Sequence, residues 1–298
     1  MNNEDLESLA YRIGNINNAQ FNNVYPILEA ELPALRLQFV HNSIAKSGTS
    51  LSLRKTPITA RINAASMKED DYCSEECLNF LIAMIKAKMN SVICGLTGSG
   101  KTELAKYLAG HINRWERIIT IEDTLELHLL TIYPNKDVVE LQVNNIVDYD
   151  GAIKSCMRMK PTWILLSEAR GYEVKELIKS ISTGARIITT IHTGDARDIP
   201  KRLLNMFEDN ELSNDKVETM IYDYIDVGIH IQCDYTEGST HRYIDQLVVF
   251  YTDENNNKCR DLIYEVKNGE ITYKPIPKYV LNKFQKENIP PFKWGCDE

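Results

Sequence analysis

The rhythm of apolar and polar positions changes twice along the chain. Residues 1 to about 65 mix short apolar runs with Asn, Ser, Pro and Gly, and alternation at Phe39-Val40 and at Leu51-Ser52-Leu53-Arg54 predicts small strands. The charged stretch Met67-Lys68-Glu69-Asp70-Asp71 then reads as a linker. Ser74 followed by Glu75-Glu76 reads as a helix cap with acids in the first turn, opening a helix that runs to about Met89. Beyond it apolar strands alternate with amphipathic helices for about 120 residues, the pattern of a parallel sheet with helices on both faces. From about Val227 strands dominate: Val227–Ile231, Arg242–Tyr251 and Asp261–Val266 predict antiparallel additions to that core. Asn268-Gly269 predicts a tight hairpin joining Leu262–Val266 to Ile271–Tyr273. The tail after Pro290-Pro291 is expected to be loosely held. The fold class is therefore α/β, divided into a small N-terminal domain with its linker over 1–70 and a larger domain with a strand-rich end over 71–298.

Composition narrows the functional classes. The 298 residues carry 34 Lys and Arg against 42 Asp and Glu, a net charge of -8 that disfavours bulk binding to DNA or to an anionic membrane surface. The start, Met1-Asn2-Asn3-Glu4-Asp5, lacks the basic and apolar pattern of an export signal, and the apolar run Phe80–Ile85 is far short of the roughly 20 residues that span a bilayer. Seven scattered cysteines read as the reduced thiols of a cytoplasmic protein.

The chemistry begins at Ser91-Val92-Ile93-Cys94-Gly95-Leu96-Thr97-Gly98-Ser99-Gly100-Lys101-Thr102, an apolar strand running into G-x-x-x-x-G-K-T and then into a helix over Glu103–Leu108. This spacing predicts a phosphate-binding loop. Gly95, Gly98 and Gly100 let the backbone curl so that N–H groups, with Thr97 and Ser99 among them, point at phosphate oxygens. Lys101 then reaches the β and γ phosphates of ATP, and the Thr102 hydroxyl ligates Mg2+. The pattern arises by chance in on the order of one chain in a hundred of this length, so a bare glycine turn is a poor alternative.

Three further strands end in polar groups. Ile118-Ile119-Thr120-Ile121 runs into Glu122 and Asp123, acids that a parallel sheet delivers to the ligand crevice at its carboxyl edge, where they can hold magnesium or orient water. Trp163-Ile164-Leu165-Leu166 runs through Ser167 into Glu168 and Arg170, and Glu168 is the candidate to orient or deprotonate the attacking water. Ile187-Ile188-Thr189-Thr190-Ile191 ends at His192, placed to sense the γ phosphate.

Read together, the segments GLTGSGKT, IEDTLEL, WILLSEARG and TTIHTGDA resemble, in order, the Walker A, Asp box, Walker B and His box of the secretion traffic ATPases of type II and type IV secretion and type IV pilus systems. The TadA/CpaF branch and its conjugation relatives look closest. Leu28-Glu29-Ala30-Glu31-Leu32-Pro33 and Leu53-Arg54-Lys55 resemble N-terminal segments of that family, so the likeness covers about residues 21 to 210. The resemblance implies a RecA-like P-loop core behind a small N-terminal α+β domain. It also implies a magnesium-dependent ATPase assembled as a homo-hexamer, docked at the cytoplasmic face of the membrane on an inner-membrane platform protein. It carries over Lys101 and Thr102 as phosphate and metal residues, Glu122 as the acidic-box residue and second metal candidate, Glu168 as the catalytic carboxylate and His192 as the box histidine. Arg54, with Arg61, Arg158 and Arg170, is a candidate for neutralising phosphate charge.

Departures are visible as well. Ser167 stands where the family usually has Gly, and Thr162 where it has Asp. They leave room for a second reading, an ATP-binding switch or scaffold subunit of such a ring that does not hydrolyse. A P-loop kinase would leave the ends at Glu122 and His192 as coincidences. A DNA helicase is disfavoured by the charge and by the lack of interleaved basic and aromatic residues.

Overall fold

The computed structural model describes residues 3–32, 34–171, 173–207, 212–236 and 238–295. Two compact units divide the chain, Met1–Thr59 and Ala60–Glu298. In the first, strands β1 (Ile27–Leu32), β2 (Leu35–Val40) and β3 (Ser50–Lys55) form an antiparallel sheet in that order. Alternate residues Leu28, Ala30, Leu37 and Phe39 turn inward and pack with Ala10, Ile13 and Phe21. Ala10 and Ile13 lie on the helix Asn3–Ile16, which strand-like alternation elsewhere in this region did not announce. Its signal was the spacing of Leu6, Leu9, Ala10 and Ile13, three and four residues apart.

The second unit is built on a nine-stranded sheet. Its strands are β4 (Ser91–Cys94), β5 (Ile118–Glu122), β6 (Val138–Gln142), β7 (Trp163–Leu166), β8 (Arg186–Ile191), β9 (Val227–Thr236), β10 (Ser239–Thr252), β11 (Lys258–Lys267) and β12 (Glu270–Tyr273). Their order across the sheet is β12-β11-β10-β9-β4-β8-β7-β5-β6. From β9 to β6 neighbours pair parallel, and from β9 to β12 antiparallel. The strand at Val227, expected as one of the antiparallel additions, is thus also the outermost parallel partner of β4. Every residue of β4, β5 and β7 is buried, as expected for strands covered on both faces.

One face packs against the helix Glu75–Lys86 through Phe80, Leu81, Met84 and Ile85, and against the helix Lys101–Gly110 through Leu104 and Leu108. The other face is covered by helices that include Tyr149–Cys156, Glu173–Ser182, Ile199–Met206 and Asn214–Tyr224. Ser74 caps its helix as the sequence suggested, its side chain accepting from Cys77 N at 3.1 Å. Asn268 and Gly269, at φ 54° and 81°, make the tight turn between β11 and β12.

Two expectations change. The stretch Met67–Asp71, read as a linker, closes a helix over Ala64–Glu69 inside the second unit, because Asn63 and Ser66 form a capping box and Met67 is buried in the core. The tail is not loose as far as Trp294: its ring meets Phe80 at 5.5 Å and Tyr273 at 5.2 Å, and its Nε1 donates to Lys274 O at 2.8 Å. Residues 296–298 lie outside the described residues. No helix among the described residues is long and apolar enough to cross a membrane.

Candidate nucleotide site

The loop from Gly95 to Gly100 leaves the carboxyl end of β4 and enters the helix that starts at Lys101. A side chain at Gly95 would bring its Cβ within 2.6 Å of Ile231 O and 2.7 Å of Ser99 Oγ, so only glycine lets the loop lie flush against β9. Gly100 takes φ 94° at the helix N-cap and offers no capping side chain. The first N–H groups of the helix are therefore left for an anion, and the helix dipole adds to the attraction. Lys101 folds back over the loop, its Nζ donating to Gly95 O at 2.9 Å and Leu96 O at 3.0 Å and lying 3.3 Å from His192 Nδ1.

Strands β4, β8, β7 and β5 are consecutive and parallel, so their carboxyl ends lie side by side. A continuous polar chain crosses those four tips. Beyond Lys101 and His192, His192 Nε2 stands 3.0 Å from Glu168 Oε1. Arg170 donates at 2.8 Å to Glu168 Oε2 and at 2.8 Å to Asp123 Oδ2. Hydrogen bonding to Glu168, reinforced by the charge of Asp123, raises the Arg170 pKa further, so its guanidinium is a permanent cation. Glu168 thereby has both oxygens engaged, one by an imidazole and one by a guanidinium. The loop that carries Arg170 is held by Glu173, a nearly buried acid that the sequence reading passed over; its Oε1 accepts from Arg170 N and Gly171 N.

Glu122 occupies a different position from the one its motif suggested. It is fully buried, and its Oε2 accepts from Glu126 N at 2.9 Å and Leu127 N at 3.0 Å. Burial pushes its pKa up to about 7, against the lowering effect of the two backbone donors. Glu122 thus braces the turn over 123–127 from within. That turn delivers a different acid to the loop: Thr102 Oγ1 donates to Glu126 Oε2 at 3.4 Å. A hydroxyl and a carboxylate beside a phosphate loop suit magnesium, which keeps several waters and takes one or two protein oxygens. Glu126 carried a readable signal, since it lies in the same acidic motif three residues past Asp123.

The other arginines are spread more widely. Arg61 is near the start of the loop's helix, its backbone N–H donating to Glu103 Oε2 at 3.0 Å. Arg158 lies in the turn Met157–Met159 that leads into the amino end of β7, the opposite edge of the sheet from the four tips, which removes it from the candidates for phosphate neutralisation. Arg54 belongs to the first unit, on β3 opposite Arg36.

Comparison with known proteins points the same way. The family model for "Type II/IV secretion system protein" matches residues 28–267. A Bacillus anthracis protein, pXO2-25, is 28% identical over 279 residues, covering 90% of this chain, while this chain spans 61% of that protein's length. The type IV secretion system protein VirB11 of Brucella suis is 30% identical over 277 residues, covering 81% of this chain and 75% of its own length. The crystal structure of the Brucella suis VirB11 ATPase with sulphate superposes with a TM-score of 0.54 at 27% identity, over 84% of this chain and 81% of that one. The Legionella pneumophila ATPase DotB shares the fold, with a TM-score of 0.62 at 18% identity over 86% and 70% of the two chains. With a family model spanning most of its length and an intact nucleotide loop in the matching RecA-like fold, this chain belongs to the type II/IV secretion system protein family.

Proposed function

We propose that the chain is the motor subunit of a secretion, pilus-assembly or conjugative transfer machine, binding ATP at Gly95–Thr102 and hydrolysing it with Glu168. The observation that carries this reading is the unbroken polar chain from Lys101 through His192, Glu168 and Arg170 to Asp123, laid across four adjacent strand ends beside the phosphate loop. A triphosphate entering the loop competes for Lys101 and Arg170. Lys101 turns from the backbone carbonyls to phosphate, Arg170 shares its charge with the γ phosphate, and Glu168 is released to aim water. His192 spans Lys101 and Glu168 and so reports phosphate occupancy to the catalytic carboxylate. Thr102 and Glu126 would hold magnesium, which would supply neutralisation of phosphate charge there.

From the resemblance of the four motifs to the secretion traffic ATPases, we propose a homo-hexameric ring at the cytoplasmic face of the membrane, attached through a platform protein. We further propose that the first unit serves as its N-terminal domain and that the subunit belongs to the TadA/CpaF branch. The engagement of both Glu168 oxygens, with Ser167 and Thr162 beside the strand, favours one second reading, a non-hydrolysing ATP switch in such a ring. Phosphate release by the purified chain separates the two. The motor reading expects turnover in wild type, loss of about a hundredfold or more in Glu168→Gln with ATP still bound, and loss of binding in Lys101→Ala. A wild type that binds ATP and releases no phosphate, alone or in the assembled ring, leaves the switch. Sedimentation with and without a nonhydrolysable ATP analogue tests the hexamer.

A further inference from the structure

The strand order fixes which way a nucleotide lies. On one side of β4 stand β8 and β7, bearing His192 and Glu168; on the other stand β9 and β10. A triphosphate held by the loop with its last phosphate toward Glu168 therefore points its nucleoside toward β9 and β10. On that side the sheet does not stop where β4 stops. Cys94, the last residue of β4, pairs with His230, whereas β9 continues to Thr236 and β10 returns from Ser239, making an arm that runs on past the loop.

Cross-strand partners share a face, so the pairs Ile231 with Ile244, Cys233 with Arg242 and Tyr235 with Thr240 line one side of this arm. The inner pair is buried in the core, and the outer residues on that side meet the phosphate loop. Arg242 Nε donates to Gly98 O at 2.9 Å. A Cβ at Gly100 would come within 3.4 Å of Arg242 Cδ, and one at Gly98 within 3.5 Å of the Tyr235 hydroxyl. Arg242 is exposed and, among the described residues, forms no ion pair with a carboxylate; Tyr235 is 68% exposed. The arm is also braced from behind, since Ile244 N donates to Tyr72 O at 2.8 Å and His241 Nε2 lies 3.0 Å from Asp70 O. A guanidinium with one nitrogen fixed to the loop and its terminal nitrogens open, next to an exposed phenol, has the chemistry to take a flat heteroaromatic ring and a sugar hydroxyl.

We infer that Arg242 and Tyr235 form the nucleoside wall of this site: Tyr235 stacks on the purine base, and the terminal nitrogens of Arg242 donate to the ribose and the base edge while Nε stays on Gly98. The inference rests on the ATP reading of the loop and adds its recognition of the nucleoside. Calorimetric titration of the full chain with Mg-ADP and with inorganic triphosphate tests it, because only the first probe carries a nucleoside. Arg242→Ala and Tyr235→Ala are each expected to weaken Mg-ADP about tenfold and to leave inorganic triphosphate within about twofold, whereas Lys101→Ala weakens both probes. Retained triphosphate binding shows that each variant is folded. Equal loss of both probes in Arg242→Ala places that residue on the phosphates and overturns the inference, as does unchanged Mg-ADP affinity in Tyr235→Ala. If wild type binds neither probe, the ATP reading fails and this inference with it; if wild type binds both and neither variant weakens Mg-ADP, the nucleoside wall alone is wrong.

Discussion

Glu122→Gln separates a buried brace from a metal ligand, because the two roles respond to pH in different ways. In the folded chain the carboxyl is fully buried, and its pKa rises from 4.5 to about 7 because burial disfavours the charged form. Between those two values the native state holds more protons than the unfolded state, so the contribution of Glu122 to stability falls as pH rises through the window and levels off above about 7. The displacement amounts to about 3 kcal/mol in all, of which roughly 2 to 3 kcal/mol falls between pH 5 and pH 8. Glutamine keeps an oxygen for the N–H groups of Glu126 and Leu127 and has no charge to bury. The gap in unfolding free energy between variant and wild type should therefore move in favour of the variant by that amount from pH 5 to pH 8. Urea unfolding at pH 5, 6, 7 and 8, followed by the fluorescence of the buried Trp163, reads it directly. Parallel pH profiles for the two proteins would refute the argument, since a carboxylate already ionised or solvated at pH 5 leaves nothing for glutamine to relieve.

Glu126→Gln is expected to raise the magnesium concentration needed for half-maximal ATP turnover by about tenfold; an unchanged requirement would remove Glu126 from the metal's surroundings. Asp226 is buried and accepts from Asn90 N at 2.7 Å and the Tyr279 hydroxyl at 2.7 Å, with Lys283 as its ion partner. Asp226→Ala leaves those groups unpaired and should cost about 3 kcal/mol in urea unfolding; a loss under about 1 kcal/mol would mean that water replaces the carboxylate. Trp294→Ala empties the space against Phe80 and Tyr273, with an expected loss of about 3 kcal/mol and faster proteolysis near residue 290. Unaltered proteolysis would show that Phe292 and its neighbours hold the tail without it.

Residues whose role is dictated by the backbone were legible in the sequence. The phosphate loop, the buried strands β4, β5 and β7, the Ser74 cap and the Asn268-Gly269 turn each follow from a local rule, and the convergence of Lys101, Asp123, Glu168 and His192 follows from parallel strands sharing a carboxyl edge. What could not be read was which way a side chain turns within a correct motif. Glu122 and Glu126 both sit in the acidic segment, and only the turn after β5 decides that the first faces the interior and the second the loop. Arg158 was misplaced for a related reason, because it precedes its strand while the chemistry follows the strands. Arg242 acts on the carbonyl of Gly98, far from it in sequence, and Glu173 acts on the N–H groups of Arg170 and Gly171 from just beyond the strand motif, so neither residue belongs to a motif that would have marked it. Trp294 lies behind two prolines, and its anchoring depends on an aromatic surface contributed by residues 80 and 273.

The two partners that flank β4 arrive late in synthesis. Ser91 pairs with Ile188 on one side and Val227 on the other, so the central strand leaves the ribosome roughly a hundred residues before either neighbour exists. At about 5–20 residues per second, that is on the order of 5–20 s during which a ribbon that ends up wholly buried and the largely apolar helix Glu75–Lys86 have no permanent cover. The nascent chain is then at its most prone to self-association and most in need of a chaperone, and the nucleotide loop, encoded early, is shaped only once the segment near Ile231 closes against Gly95.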